Sequence, residues 1–403
     1  MIIPDLNTWP VNWRDGMKVR AGHFQEEAAA SGAALRDLAA RQLSAYSYGL
    51  IPGESRARFQ IPEIELIESR KVRVHLRDCR AVTPGGTRIE ISPDQPLVDT
   101  LSWQERDEEQ IRQQDKMSML IMIQAAPDSF REGGEPDPDE LPPRYPHRMP
   151  SYRLFLQPFE SDKTISQTKY TLPLGAFSLV GGRLIQDELY IPPSCVVEAH
   201  PLLSESFRKQ KNMLNRLLQS LEEVLRIAGN TKLRVNERVR QNDLSPAIFQ
   251  MAQSLYGQII SFYDTLIWTG SDAPPLALML PAMRTARHVR LTQLSLPKGE
   301  SVNLLNYLDQ FGDLSPDQFN TTIQSLLSQA YHHNHAAPLL QAAHSFWDML
   351  DKSFGALAQR DDYIWDGVKQ EGRSQIHRTE NQGHSESGGR TIRINKPNPY
   401  GSD

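Results

Sequence analysis

His332, His333 and His335 form the one histidine cluster in the chain, and imidazoles this close together are the first place to look for a metal. No cysteine or carboxylate stands at a usual ligand offset beside them, so an exposed turn between two helices is expected instead. His23 lacks an acid or a nucleophile at a suggestive spacing, which points to a structural or partner-contact role at a helix start. Cys79 and Cys195 are far apart and outside any Cys-x-x-Cys pattern. That suits a reducing compartment, although two thiols leave one disulfide open. The chain has no Gly-x-Ser-x-Gly, no His-Glu-x-x-His and no phosphate-cradling Gly-x-x-x-x-Gly-Lys. No catalytic residue, cofactor site or metal site is therefore expected.

Large side chains near the start point elsewhere. Trp13, Met17 and Phe24 lie in a terminal segment, together with Arg20, His23 and Gln25. Trp and Arg are the residues that most often carry binding energy at interfaces. The competing explanation is that they cover one edge of the first domain.

The elements that must position these residues follow from periodicity. Phe24, Ala28, Ser31, Leu35, Leu38, Ala39 and Leu43 recur at helical spacing in alanine-rich sequence. Tyr46, Tyr48, Gly49 and Leu50 break that pattern and lead to a turn at Pro52-Gly53. From Ile61 the period becomes two: Ile64 and Leu66, then Val72, Val74 and Leu76, alternate with charged residues as in half-buried antiparallel strands. Thr83 to Thr87 is a turn, Arg88 to Ile91 a returning strand, and Met117 to Ile123 an inner strand. A short helix is expected around Asp107 to Glu109. Pro127 to Pro150, rich in proline and acidic residues, is expected to be loop. Tyr152 to Pro158, Lys169 to Leu174 and Ala176 to Val180 are further strands. Pro192-Pro193 ends the sheet region, because two prolines cannot continue a ladder.

From Ser204 the period is helical. Leu214, Leu218, Leu221 and Leu225 form one stripe, which Gly229-Asn230 is expected to end. Ser245-Pro246 opens another helix, with Ile248, Ala252, Leu255, Ile259, Phe262 and Leu266 spaced by fours and threes. That spacing is the seam of a bundle or coiled coil, and these residues are the candidate surface for self-association. Leu276 to Met283, interrupted by Pro281, fits no element. Later helices carry Val302 to Phe311, Phe319 to Ala330 behind a Ser315-Pro316 cap, and Leu340 to Leu357. The polar end of the chain has too little apolar content to fold alone, and only Thr391 to Ile394 keeps a strand-like alternation.

The expected architecture is α+β and multidomain. An antiparallel β-sandwich with an N-terminal anchoring segment occupies 1–200, an α-helical bundle 201–360, and a polar region 361–403. A length of 403 residues fits this division, and a net charge of −5 argues against a nucleic-acid partner. The cluster Arg284, Arg287, His288 and Arg290 is expected to be a solvated face or an interface rim. No apolar run is long enough to span a membrane, and Met1 to Asp5 does not resemble a signal peptide, so the cytoplasm is the expected compartment.

Trp13, Gly16-Met17, Arg20 and His23-Phe24-Gln25 stand at offsets that resemble the opening of the TssK family, the baseplate subunit of bacterial type VI secretion systems. Ala21 stands where that family usually has proline. The Tyr48-Gly49-Leu50 step and Tyr190-Ile191-Pro192-Pro193 are similar to steps that the family also has. The resemblance implies a sandwich like the shoulder of phage receptor-binding proteins, then a helical stalk through which three copies assemble. It implies a shoulder bound to a TssF/TssG wedge and a distal head that meets an envelope-anchored complex, with no catalysis and no cofactor. Protein-binding residues are then Trp13, Met17, Arg20, His23, Phe24 and Gln25. The oligomerisation residues are Leu214, Leu218, Leu221, Leu225, Ile248, Leu255, Ile259 and Phe262. The polar end of this chain departs from the family's compact head, so either the head is replaced or the docking partner differs. A receptor-binding or carbohydrate-binding adhesin of a phage tail is the alternative, and it requires clustered exposed aromatics on the sandwich.

Overall fold

The structure, a computed structural model, describes residues 8–53, 59–68, 70–103, 116–126, 129–159, 168–232, 243–312 and 314–365. The expected helix at Asp107 to Glu109 and the strand at Thr391 to Ile394 lie outside them. An N-terminal antiparallel β region is followed by helices, as the change of period requires. The sheet region opens with helix α1 (Ala21–Gln42) and the short β1 (Gly49–Leu50). Then come β2 (Glu63–Glu68), β3 (Lys71–Leu76), β4 (Cys79–Val82), β5 (Arg88–Ile91) and β6 (Leu97–Ser102). The rest are β7 (Lys116–Gln124), β8 (Phe130–Gly133), β9 (His147–Pro150), β10 (Arg153–Pro158), β11 (Thr171–Val180) and β12 (Arg183–Gln186).

They pair as β1-β4-β5, β2-β3-β6 and β10-β7-β11-β12, every ladder antiparallel. Alternation decides what each strand buries. Val72, Val74 and Leu76 of β3 point inward to meet Ile89, Ile91, Met119, Ile121, Ile123 and Phe177 in one core. Strand β7 is apolar on both faces because both are covered. Its Leu120 and Met122 pack with Ala176 and Tyr190 on the side away from that core.

The proline-rich stretch from 127 to 150 contains more than loop. Strands β8 and β9 pair from Phe130↔Pro150 to Gly133↔His147, and the ribbon is almost wholly exposed. Its prolines cluster at the tip, where no ladder is needed. The strands themselves bury so little that no apolar alternation announces them.

The helical region holds α2 (Pro201–Lys232), α3 (Ser245–Thr269), α4 (Leu276–Ser295), α5 (Lys298–Gly312), α6 (Pro316–Ser328) and α7 (Ala337–Leu357). Helix α2 runs past Gly229-Asn230, where an end was expected, and continues to Lys232. The Leu276–Met283 stretch that fitted no element is the first half of α4, with Pro281 buried inside the helix. Ser315 caps α6 as expected: its side chain accepts from the Gln318 amide at 3.2 Å, and Gln318 Oε1 accepts from the Ser315 amide. At α3 the side chain of Asp243, two residues before Ser245, takes the Ser245 amide at 2.9 Å, so Asp243 and not Ser245 acts as the local acceptor.

The expected inter-subunit seam needs correction. Leu214, Leu221, Ile248, Leu255 and Ile259 are almost fully buried inside this single chain, Leu218 nearly so, and Leu225 and Phe262 pack against the same cluster. Helices α2, α3 and α7 supply one another's apolar partners, so these positions are already spent on the chain's own core. Their four-three spacing reports packing between helices, which is identical in pattern whether the partner helix belongs to the same chain or another. Tyr363 is also fully buried in this core, and its carbonyl accepts from the Leu244 amide at 2.9 Å.

The histidine cluster also differs from the exposed turn expected. The loop between α6 and α7 lies against the sheet region, with His333 buried. His333 Nε2 is 2.7 Å from the Tyr48 carbonyl, and Nδ1 is 2.7 Å from the Tyr331 hydroxyl. A carbonyl only accepts, so Nε2 carries the proton and Nδ1 accepts from Tyr331. The Tyr48 hydroxyl donates to Asn334 Oδ1 at 2.9 Å and the Tyr190 hydroxyl to the Asn334 carbonyl at 2.8 Å. His335 stacks on Tyr190 and meets Phe159 edge-on at 5.1 Å. The second face of β7 is thus closed from the helical side. No group of histidine, cysteine and carboxylate among the described residues could hold a metal ion. No described helix is long and apolar enough to cross a membrane.

Two tests follow from this packing. Leu255→Ala should cost about 2–5 kcal/mol of unfolding free energy in urea denaturation. It should leave the mass of the folded protein unchanged, because the side chain belongs to the chain's own core. The second concerns acid. Burial lowers the pKa of both His200 and His333 from 6.5 to about 4. Between those values the unfolded chain takes up protons that the folded chain refuses. Stability is therefore fully present above about pH 6.5 and falls as the pH drops toward about 4, by about 1.4 kcal/mol per pH unit for each histidine. Unfolding free energies at stepped pH check this, and His200→Leu should remove about half of the slope.

Candidate functional site

The candidate surface is built on α1 and the segment before it. Helix α1 has two unlike faces. Ala30 and Ala40 are buried, whereas Phe24, Ala28, Ser31, Leu35 and Leu38 are all exposed. The large side chains of that second stripe stand in solvent: Phe24 is 61% exposed, Leu35 68% and Leu38 56%. The helix is therefore held by its small residues and presents its large ones, the reverse of an ordinary surface helix.

The anchor is a close approach at the turn between β4 and β5. Gly86 has φ +79°, and a Cβ there would lie 2.6 Å from the Arg36 carbonyl and 3.2 Å from the Ala39 Cβ. Only glycine allows the turn both its conformation and its contact with the helix backbone. At the other end, His23 Nδ1 accepts from the Arg20 amide at 3.4 Å and so caps the first turn. His23 is thus tied to the start of the helix, half-buried against Trp13.

The residues before the helix fold back on it. Trp13 packs edge-on to His23 and tilted against Phe24, each with ring centroids 5.9 Å apart. The Val11 amide donates to Glu27 Oε2 at 2.8 Å, which ties the leading strand of chain to α1. Gly16, at φ +76°, makes the bend between Trp13 and Met17. Trp13, Arg20, Phe24 and Gln25 are exposed, while Met17 and His23 are half-buried. Trp9, outside the expected set, is 69% exposed four residues before Trp13 in the chain. Its signal was the same as that of Trp13, a large aromatic near the chain start, but no neighbouring pattern marked it. Of the six expected residues, Trp13, His23 and Phe24 touch one another and Met17, Arg20 and Gln25 lie beside them in the chain; of the eight expected self-association residues, six are buried and Leu225 and Phe262 are half-buried.

The other two patterned segments meet elsewhere. Leu50 donates from its amide to the Pro193 carbonyl at 2.7 Å, and the Cys195 amide donates to the Leu50 carbonyl at 2.8 Å. Gly49, at φ +110°, lies so close to Pro193 that an added Cβ would sit 2.0 Å from its carbonyl oxygen. These segments flank the α6–α7 loop and serve the junction of sheets and helices. Burial pushes the Cys195 thiol up to about 12 and the Cys79 thiol further, so neither is a ready nucleophile.

No family profile and no curated protein matches this chain. Solved structures do resemble it. A crystal structure of TssK aligns at 14% identity and a TM-score of 0.43, covering 85% of this chain and 69% of that one. A cryo-electron-microscopy structure of the type VI secretion system TssK-TssF-TssG baseplate subcomplex contains a chain at 14% identity and a TM-score of 0.45, with coverage of 84% and 98%. TssK from the type VI secretion system of EAEC, bound to a nanobody, aligns at 15% and 0.41, covering 83% and 99%. At these values the function has to be argued from this chain's own residues.

Gly86→Val tests the anchor. A β-branched residue at positive φ, with no room for its Cβ, should cost about 1–3 kcal/mol. Hydrogen exchange should show faster exchange across the C-terminal half of α1 and unchanged protection in α2 and α3.

Proposed function

We propose that the chain is a structural subunit of a contractile injection machine of the type VI secretion kind, working on the cytoplasmic side of the envelope. In this proposal three copies assemble, and the sheet region binds a wedge of TssF/TssG-like proteins through Trp13, Met17, Arg20, His23, Phe24 and Gln25. The observation that carries it is the outward apolar stripe of α1, which Trp13 joins through its contact with Phe24. A side chain such as Leu35 held in water forgoes roughly 1.5–3 kcal/mol of burial. A helix anchored by its alanines and presenting Phe and Leu, with Trp13 packed on its first turn, has the composition of a binding face. The pattern Trp13, Gly16-Met17, Arg20 and His23-Phe24-Gln25, which resembles the TssK opening, supplies the kind of partner. Because the seam leucines are internal, self-association in this proposal uses other surfaces.

Trp13→Ala measures the assignment. Affinity for a co-expressed TssF/TssG-like wedge should weaken by about 2 kcal/mol or more, with the melting temperature nearly unchanged because Trp13 is 44% exposed. A large loss of thermal stability with binding retained would instead make the segment part of the chain's own fold.

A further inference from the structure

The bundle carries a groove that α1 does not explain. It is a surface cavity of about 390 Å³ where the end of α4 meets the start of α5 and the middle of α6, lined by Arg290, Leu294, Leu296, Lys298, Val302 and Ile323 among others. Leu294 is 74% exposed at its lip, and Val302 and Leu291 are also exposed. Along the same side of α4, Arg284 and Arg287 stand in solvent one and two turns before Leu291. The groove thus carries Leu294 and Val302 at its mouth beside the amides Gln293, Asn320 and Gln324, with cations along its rim.

The complement is on the same chain. The tip of the β8–β9 ribbon carries Glu135, Asp137, Asp139 and Glu140 against the single cation Arg144, and it presents Leu141, 96% exposed, and the exposed Tyr145. The tip is preorganised. Asp137 donates from its amide to the Arg144 carbonyl at 3.0 Å, and Arg144 Nε donates to Glu140 Oε2 at 2.8 Å. Pro136, Pro138, Pro142, Pro143 and Pro146 fix further backbone angles, which lowers the entropy lost on binding. Neither half is satisfied at home, since Leu141 and Leu294 both remain in water.

We propose that the ribbon tip of one copy docks in the α4–α5–α6 groove of a second copy. Leu141 and Tyr145 would enter between Leu294 and Val302, and the tip carboxylates would face Arg287, Arg290 and Lys298. Charge complementarity of this kind sets partner choice and register. The contact joins two different surfaces, so repetition by a closing rotation builds a ring and not a two-fold dimer. It rests on the self-association proposed above but is independent of wedge binding through Trp13.

Light scattering of the full chain over a range of concentrations, with Leu141→Asp and Leu294→Asp as variants, tests it. Both side chains are exposed, so each variant should fold with an unchanged melting temperature. Each alone should weaken self-association by about tenfold or more. Each keeps one working half, so mixing the two should give a two-chain species and nothing larger. A wild-type chain that is monomeric at every concentration would overturn the contact and self-association together. An oligomer indifferent to both variants, or variants that dissociate but do not recombine, would overturn the contact alone, even where the groove then captures an acidic peptide.

Discussion

The rest of the fold depends on the place where Gly49 passes against Pro193. The two backbones lie close enough to exchange hydrogen bonds through Leu50, and no side chain fits between them. That contact sets Tyr48 and Tyr190 side by side, and each donates a hydroxyl to Asn334. His333 then completes the set by donating to the Tyr48 carbonyl. Buried polar groups are tolerable only when partnered, so every member of this network holds the others in place. Sheets and helices consequently form one compact unit from Met1 to Trp365.

A second constraint operates at α1. A helix packed by alanines approaches its neighbour closely, and Gly86 permits that approach. The cost is that little apolar area is buried on that face, while Phe24, Leu35 and Leu38 stay in water. Such a helix is well placed but weakly satisfied. Physical chemistry therefore favours a partner there more than at the bundle core, whose leucines are already covered. The exposed ribbon repeats the theme, since a two-stranded hairpin that buries almost nothing gains little from its own fold.

Much of this was legible in the amino-acid sequence. Period-two alternation placed β3 and β5, the Ser315-Pro316 pair placed the start of α6, and Pro192-Pro193 placed the end of the sheets. These are local properties, decided by backbone preference and by which side of an element is apolar. The periodic stripe of α1 reads as a face for packing, and its large residues Phe24, Leu35 and Leu38 stand exposed instead. The ribbon was missed because exposed strands need no alternation. Helix α4 was missed because Pro281 argues against a helix, and burial overrode that local cost.

By itself, then, the sequence determined the order of elements, their periods and the faces that are apolar. It left undecided what each apolar face meets. The stripe of α3 and that of α1 share the same four-three spacing, yet Ile248, Leu255 and Ile259 are buried while Phe24, Leu35 and Leu38 are exposed. Periodicity specifies a stripe and carries no record of the partner, because the hydrophobic effect is non-directional. His333 makes the same point for polar groups. Its identity announces a titratable ring, and only the approach of Tyr48, nearly three hundred residues away along the chain, turns it into a buried hydrogen-bonded tie.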